Sequence, residues 1–197
     1  MNPLALFSCA VAVAASGFAG SDHASCFEHA AAGHTVRISR GPGEFESIGS
    51  YAIRVYDAGN SFIAGLVRPR DGALVRSWVT GPGTRGHFQV WIWTRASGSG
   101  AYGELECFDY DGATLRPLPL ADPDDALLEG YRGHDQFEVR GDKVYRRFPL
   151  YRDPDCNAEP TGGTRCLELD VKPGKWRLSA PRGQLRPDNG RYITAIP

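Results

Sequence analysis

An all-β fold, either an antiparallel β-sandwich or a barrel-like packing of sheets, is what this sequence predicts, and three observations carry that reading. Short runs rich in β-branched and aromatic residues recur along the whole chain. Turn-forming groups separate them: Asp57-Ala58-Gly59-Asn60, Asp71-Gly72, Asp111-Gly112, Gly141-Asp142 and Pro173-Gly174. Asp-Gly between apolar runs is a strong hairpin signal, because glycine supplies the positive φ that a tight turn needs. Helix-forming pattern is confined to one stretch, residues 122–129. There Asp122 can cap and Pro123 can occupy the first helical position of a single short turn.

The elements follow in order. Residues 34–39 alternate polar and apolar side chains, the period of a half-buried strand. Residues 50–56, 62–67 and 73–79 are further strand-like runs, and Asp71-Gly72 separates the last two. In residues 88–94, Phe88, Val90 and Ile92 point one way, while Trp91 and Trp93 point the other. Both faces of that strand are therefore large and apolar. Either it is a central strand buried on both sides, or one face is a dimer interface. Further strands are expected at 103–110, 114–118, 136–140, 143–148, 165–171 and 175–178. The tail, residues 179–197, is rich in Pro, Gly and Arg and is expected to be loosely ordered. Gly and Pro, 24 and 14 in number, are spread along the chain, which suits tight turns better than a linker.

Residues 1–19 are uncharged and mostly small or apolar. Their apolar run, residues 4–15, is too short for a membrane span, which needs about 20 residues. It reads as a secretory signal, with Gly17-Phe18-Ala19 offering cleavage before Gly20. No Lys or Arg precedes the run, so either the true start lies upstream or the signal is atypical. Leu6-Phe7-Ser8-Cys9 also looks like a lipoprotein cleavage box, although Cys9 lies very near the start. The exported reading leaves one all-β domain over residues 20–178, with 131–171 extending the sheet. Four cysteines remain after cleavage: Cys26, Cys107, Cys156 and Cys166. An even count in an exported chain favours disulfides. Cys156 and Cys166 flank a turn-rich stretch and can close a local loop, which would pair Cys26 with Cys107. Four cysteines allow three pairings, and the others stay open. There is no Cys-x-x-Cys to suggest zinc. A net charge of −1 argues against a nucleic-acid partner.

The most informative segment is Arg95-Ala96-Ser97-Gly98-Ser99-Gly100-Ala101-Tyr102, between two strand-like runs. Gly98 and Gly100 flank Ser99, so nothing bulky surrounds its hydroxyl. A serine nucleophile needs a base within reach and a third group to orient it. The strand-to-helix elbow of serine hydrolases spaces its glycines differently, and an all-β chain lacks that scaffold. His134 and Asp135 are sequence neighbours on a strand-like segment and would point to opposite sides. The segment therefore reads as a binding loop rather than a catalytic one. Asp153, Asp155, Asn157 and Glu159 alternate like the start of a calcium loop. Ala158 sits where such a loop needs Gly, and Thr164 where it needs Glu, so a capped turn is the expected structure and no metal or cofactor is expected.

These residues resemble a known family, the periplasmic inhibitors of invertebrate-type (i-type) lysozyme. That family presents a Ser-Gly-x-Tyr loop to the lysozyme active site, and Ser99-Gly100-Ala101-Tyr102 matches it. Ser47-Ile48-Gly49-Ser50-Tyr51 with Arg54-Val55-Tyr56, and Ala64-Gly65-Leu66-Val67-Arg68-Pro69-Arg70-Asp71-Gly72, are similar to the family's first two strands. Tyr131-Arg132-Gly133-His134-Asp135, Phe148-Pro149-Leu150-Tyr151 and Asn157-Ala158-Glu159-Pro160-Thr161-Gly162-Gly163 resemble blocks of longer members. The chain departs at residues 80–87, which lack the family's Asp-rich turn and hold no carboxylate, so no cation site carries over. The resemblance implies a non-catalytic periplasmic inhibitor, a homodimer, and an invertebrate-type lysozyme as partner. It makes Gly98, Ser99, Gly100 and Tyr102 the lysozyme-binding loop. The rival reading is a non-catalytic cell-envelope module that binds glycan or another protein through exposed aromatics.

Overall fold

The structure is a computed structural model that describes residues 27–81, 86–171 and 174–179. The signal segment, Cys26 and most of the tail lie outside the described residues. The fold is nearly all β. Three antiparallel sheets of four strands each follow one another along the chain. The first holds β1 (Phe27–Ala31), β2 (His34–Arg40), β3 (Ile48–Tyr56) and β4 (Phe62–Asp71). The second holds β5 (Ala73–Thr80), β6 (Phe88–Arg95), β7 (Gly103–Tyr110) and β8 (Leu115–Leu118). The third holds β9 (Gln136–Arg140), β10 (Lys143–Pro149), β11 (Thr164–Asp170) and β12 (Lys175–Leu178). Each sheet is a meander, because strands adjacent in sequence are adjacent in space. Proline positions agree with that order: Pro69 and Pro117 lie on β4 and β8, which are sheet edges where no ladder donor is lost.

Layering explains the two apolar faces of β6. Phe88, Val90 and Ile92, with Phe108 and Tyr110 of β7, pack on Val36, Ile38, Tyr51, Ile53 and Val55 of the first sheet. Trp91 and Trp93, with Cys107, pack on Phe137, Val139, Val144, Phe148, Leu167, Leu169 and Trp176 of the third. The second sheet is thus the middle of the stack, and β6 is buried on both sides within one chain. A dimer interface is not what covers the tryptophan face. Trp78 stacks on Trp93 at 6.5 Å between ring centroids, 12° from parallel. The Trp91 indole N–H donates to Thr80 Oγ1 at 2.9 Å, which satisfies the one polar group of a fully buried side chain. On the outer face of the third sheet, Lys143 and Arg177 both donate to Glu168, at 2.6 and 2.7 Å. Those two cations hold its carboxyl down at about 2.

Two expectations about elements are revised. Strand β1 precedes the first strand expected from pattern, and it exists by pairing along its length with β2. Instead of a turn capped by Asp122, a single turn of 3-10 helix forms at Asp125–Leu127. Asp124 occupies the cap position and makes no side-chain capping bond.

Trp91 is fully buried in the cluster between the second and third sheets, so its replacement by alanine leaves a void that the ladders to β5 and β7 keep from collapsing. Trp91→Ala is expected to destabilise by about 3–5 kcal/mol. A urea titration followed by circular dichroism reads this directly, and a loss below about 1 kcal/mol would contradict burial of the tryptophan face.

Candidate functional site

Strand β6 ends at Arg95 and β7 begins at Gly103, directly opposite in the ladder. The seven residues between them project from one end of the middle sheet. Two backbone bonds shape the loop: Ala96 N–H donates to Tyr102 C=O at 2.8 Å, and Ala101 N–H to Gly98 C=O at 2.9 Å. The second closes a turn with Ser99 and Gly100 at its centre. Gly98 and Ser99 are exposed at the tip, while Gly100 is buried beneath them. Tyr102 is half-exposed, and its ring meets Tyr131 edge-on at 5.7 Å. An exposed serine and a half-exposed tyrosine are therefore carried by one short loop.

The loop does not rest on its own sheet alone. Residues 131–135, the lead into the third sheet, run beneath it. His134 N–H donates to Gly100 C=O at 2.7 Å. The two backbones approach so closely at Gly133 that a Cβ there would lie 1.9 Å from the Gly100 oxygen; Gly133 also has φ +100°. Asp135 then takes hold of the loop's far end. One of its carboxylate oxygens accepts from Gly103 N–H at 2.8 Å and from the Tyr131 hydroxyl. The other accepts from Arg146 Nε at 2.8 Å. Both partners of this ion pair are withdrawn from water, with side-chain exposures of 0% for Asp135 and 12% for Arg146. The guanidinium lies over the Tyr131, Phe137 and Phe148 rings. Burial, with the Asp135 charge added to it, pushes the Tyr131 phenol well above its usual range.

A further loop flanks the tip. Asn157 Nδ2 lies 3.4 Å from Ser99 Oγ and can donate to it. Arg132 donates to Asp155 C=O at 2.9 Å and stacks on Tyr151, whose hydroxyl reaches Asn157 C=O at 3.1 Å. Asp155 accepts from Arg152 N–H at 2.7 Å and from Thr161 N–H at 2.8 Å, and these bonds hold its carboxyl below the usual range. This carboxylate caps the turn. Among the described residues, no three His, Cys, Asp or Glu side chains converge as metal ligands.

The sequence-predicted residues fall as follows. Gly98, Ser99, Gly100 and Tyr102 lie together on the loop. His134 contributes its backbone to that loop, while its ring stacks on Tyr151 with Nε2 buried and unpartnered among the described residues. Its ring has no hydrogen bond to Ser99 among the described residues. Cys107 is buried against Trp91, and burial pushes its thiol above the ordinary range. Cys156 is exposed and Cys166 half-buried, and the three described cysteines are unbonded. What pattern reading missed is the Asp135–Arg146 pair. One signal was available: Arg146 alternates with Val144 and Phe148 on the inward face of β10, and a charge there requires a buried partner.

Comparison with known proteins bears on this loop. Residues 29–122 match the sequence model of the family described as periplasmic lysozyme inhibitor of I-type lysozyme. The chain resembles that family across its first two sheets. The match takes in the whole Ser99 loop and stops short of the third sheet. Of solved structures, Aeromonas hydrophila PliI in complex with Meretrix lusoria lysozyme is 29% identical, covering 44% of this chain and 74% of that one, with a TM-score of 0.40. PliI from the same organism, solved without mention of a partner, is 27% identical over 47% of this chain and 85% of that one, with a TM-score of 0.41. No curated protein matches the chain. The family's description is that of a periplasmic inhibitor, a protein that binds rather than converts its target.

Loop shape depends on the missing side chain of Gly100. A Cβ there would lie 2.4 Å from the Tyr102 ring and 3.0 Å from the Arg132 carbonyl oxygen. Gly100→Ala is expected to force the Tyr102 ring aside and to cost about 1–3 kcal/mol of overpacking. A fall in urea midpoint checks it, and an unchanged midpoint would mean that the loop is slack.

Proposed function

We propose that this protein is an exported inhibitor of invertebrate-type lysozyme, and that it places the loop of Gly98, Ser99, Gly100 and Tyr102 in the enzyme's cleft to protect bacterial peptidoglycan. The observation that carries the reading is the family match, which spans the loop that bears exposed Ser99 and half-exposed Tyr102. Glycosidases of the lysozyme kind act through a pair of carboxyl groups. A serine hydroxyl can donate to such a carboxylate and occupy the lone pairs that catalysis needs. One charged hydrogen bond contributes about 1.5–3 kcal/mol, so tight inhibition needs a wider contact, of order 1,200–2,000 Å² in total. Tyr102 is suited to be the second anchor, since tyrosine is rigid and amphipathic. The periplasm is the compartment that the family's description gives, and it fits the apolar leader of the chain. A second reading, an envelope module that binds glycan or protein, is favoured by Phe45, which is 79% exposed on the β2–β3 connection. Clearing of a bacterial cell suspension by invertebrate-, chicken- and goose-type lysozymes, with and without the protein, separates the two.

Ser99→Ala is expected to weaken inhibition tenfold or more, about 1.4 kcal/mol, while changing folding stability by under about 0.5 kcal/mol. A well-folded Ser99→Ala protein that inhibits fully would remove this hydroxyl from the mechanism. In the oxidising periplasm the proposed pairings are Cys156 with Cys166 and Cys26 with Cys107, each expected to contribute about 2–4 kcal/mol. Peptide mapping without reductant reads the links, and a Cys107–Cys166 bridge would overturn the pairing.

A further inference from the structure

We infer that Asp135 is a positioning residue for the inhibitory loop, acting through its buried ion pair with Arg146, so that the third sheet is part of the binding device rather than an appendage. The inference rests on the reading of the Ser99 loop as the lysozyme-binding element. The loop's internal order is slight. It has two backbone bonds of its own, and two glycines flank its serine. Such a segment, left alone, samples many conformations, and a partner that ordered it would lose affinity to the lost entropy. Residues 131–135 remove that cost before binding. His134 N–H fixes the carbonyl at the centre of the turn, and Asp135 fixes the amide of Gly103, where the loop rejoins its strand. Tyr131 links the two jobs. Its hydroxyl donates to Asp135, and its ring supports Tyr102.

The strength of the anchor comes from where the carboxylate is held. Asp135 is fully buried, and a buried carboxylate is stable only when its oxygens are satisfied. Its donors come from three places: the loop through Gly103, the strap through Tyr131, and β10 of the third sheet through Arg146. Moving the loop away would leave a buried charge short of a donor. The loop's geometry is thereby tied to a strand flanked on both sides in its sheet. All of Tyr131, Asp135 and Arg146 lie beyond residues 29–122, the stretch that the family's sequence model matches. Affinity that depends on the loop being preformed should therefore depend on residues outside that stretch.

Two variants test this in the full-length protein. Asp135→Asn keeps the side chain's shape and removes its charge. The pair Asp135→Leu with Arg146→Met replaces the ion pair by apolar groups, a change that leaves packing intact where a lone substitution would strand a charge. Inhibition constants, dissociation rates and thermal unfolding are measured for each, alone and together with Ser99→Ala and Tyr102→Ala. The expected result is inhibition weakened about tenfold, mainly through faster dissociation, in variants that stay folded at the assay temperature. That loss should shrink to less than about twofold when Ser99 and Tyr102 are already replaced, because a positioning residue has nothing left to position. Faster hydrogen exchange at the Gly103 and His134 amides should accompany it. Folded Asp135 variants that inhibit like the parent, while the Ser99 and Tyr102 variant does not, overturn the inference alone. An equal loss in the background lacking Ser99 and Tyr102 also overturns it, since Asp135 would then act elsewhere. Full inhibition by the Ser99 and Tyr102 variant itself sinks the loop reading, and this inference with it.

Discussion

Strand β6 turns Phe88, Val90 and Ile92 to one side and Trp91 and Trp93 to the other, and a sheet with two such faces needs a layer on each. The first and third sheets supply those layers. Their inward residues differ accordingly: Val, Ile and Tyr51 side chains meet the phenylalanine side, while a mix of Phe, Leu, Val and Trp fills the irregular surface of the indoles. The position of the Ser99 loop follows from the same demand. It leaves the middle sheet beside the strap that leads into the covering sheet. Cover and loop cannot be arranged independently, since residues 131–135 serve both.

Most strands were legible because alternation over five or more residues is a direct image of a pleated surface with one dry side. Val36 and Ile38, or Leu167 and Leu169, could hardly be read otherwise. Phe27–Ala31 was not legible. Its Phe-Glu-His-Ala-Ala run is weakly patterned, and it is a strand because β2 offers it an edge. Layer order was likewise hidden. Alternation reports that a face is apolar but not what covers it, so the pattern of β6 left open both a central strand and an interface. In the site, the glycine-flanked serine was plain. Its support was not, because Asp135 and Arg146 lie far from the loop in sequence and act through tertiary contact. The inward arginine of β10 was the trace they left.

The site's chemistry is that of a binder. Ser99 has an amide for a neighbour rather than a base, and Asp135, the carboxylate that holds the loop's far end, is buried and bonded to three donors. A carboxylate so placed holds a shape. Polar contacts at this end of the molecule concentrate below the tip, where the strap and Asp135 hold the loop. A loop held in shape in advance loses less entropy on meeting a partner.

The meander topology also bears on how the chain reaches its native state. Every strand pairs with its sequence neighbour, so each sheet can zip through short hairpin closures, which favours rapid local assembly. Order of synthesis works against this ease. The middle sheet is complete in sequence by Leu118, whereas its tryptophan face waits for strands that end at Leu178. Until they dock, Trp78, Trp91 and Trp93 have nothing to cover them. The face that this topology closes last is thus the tryptophan side of the middle sheet.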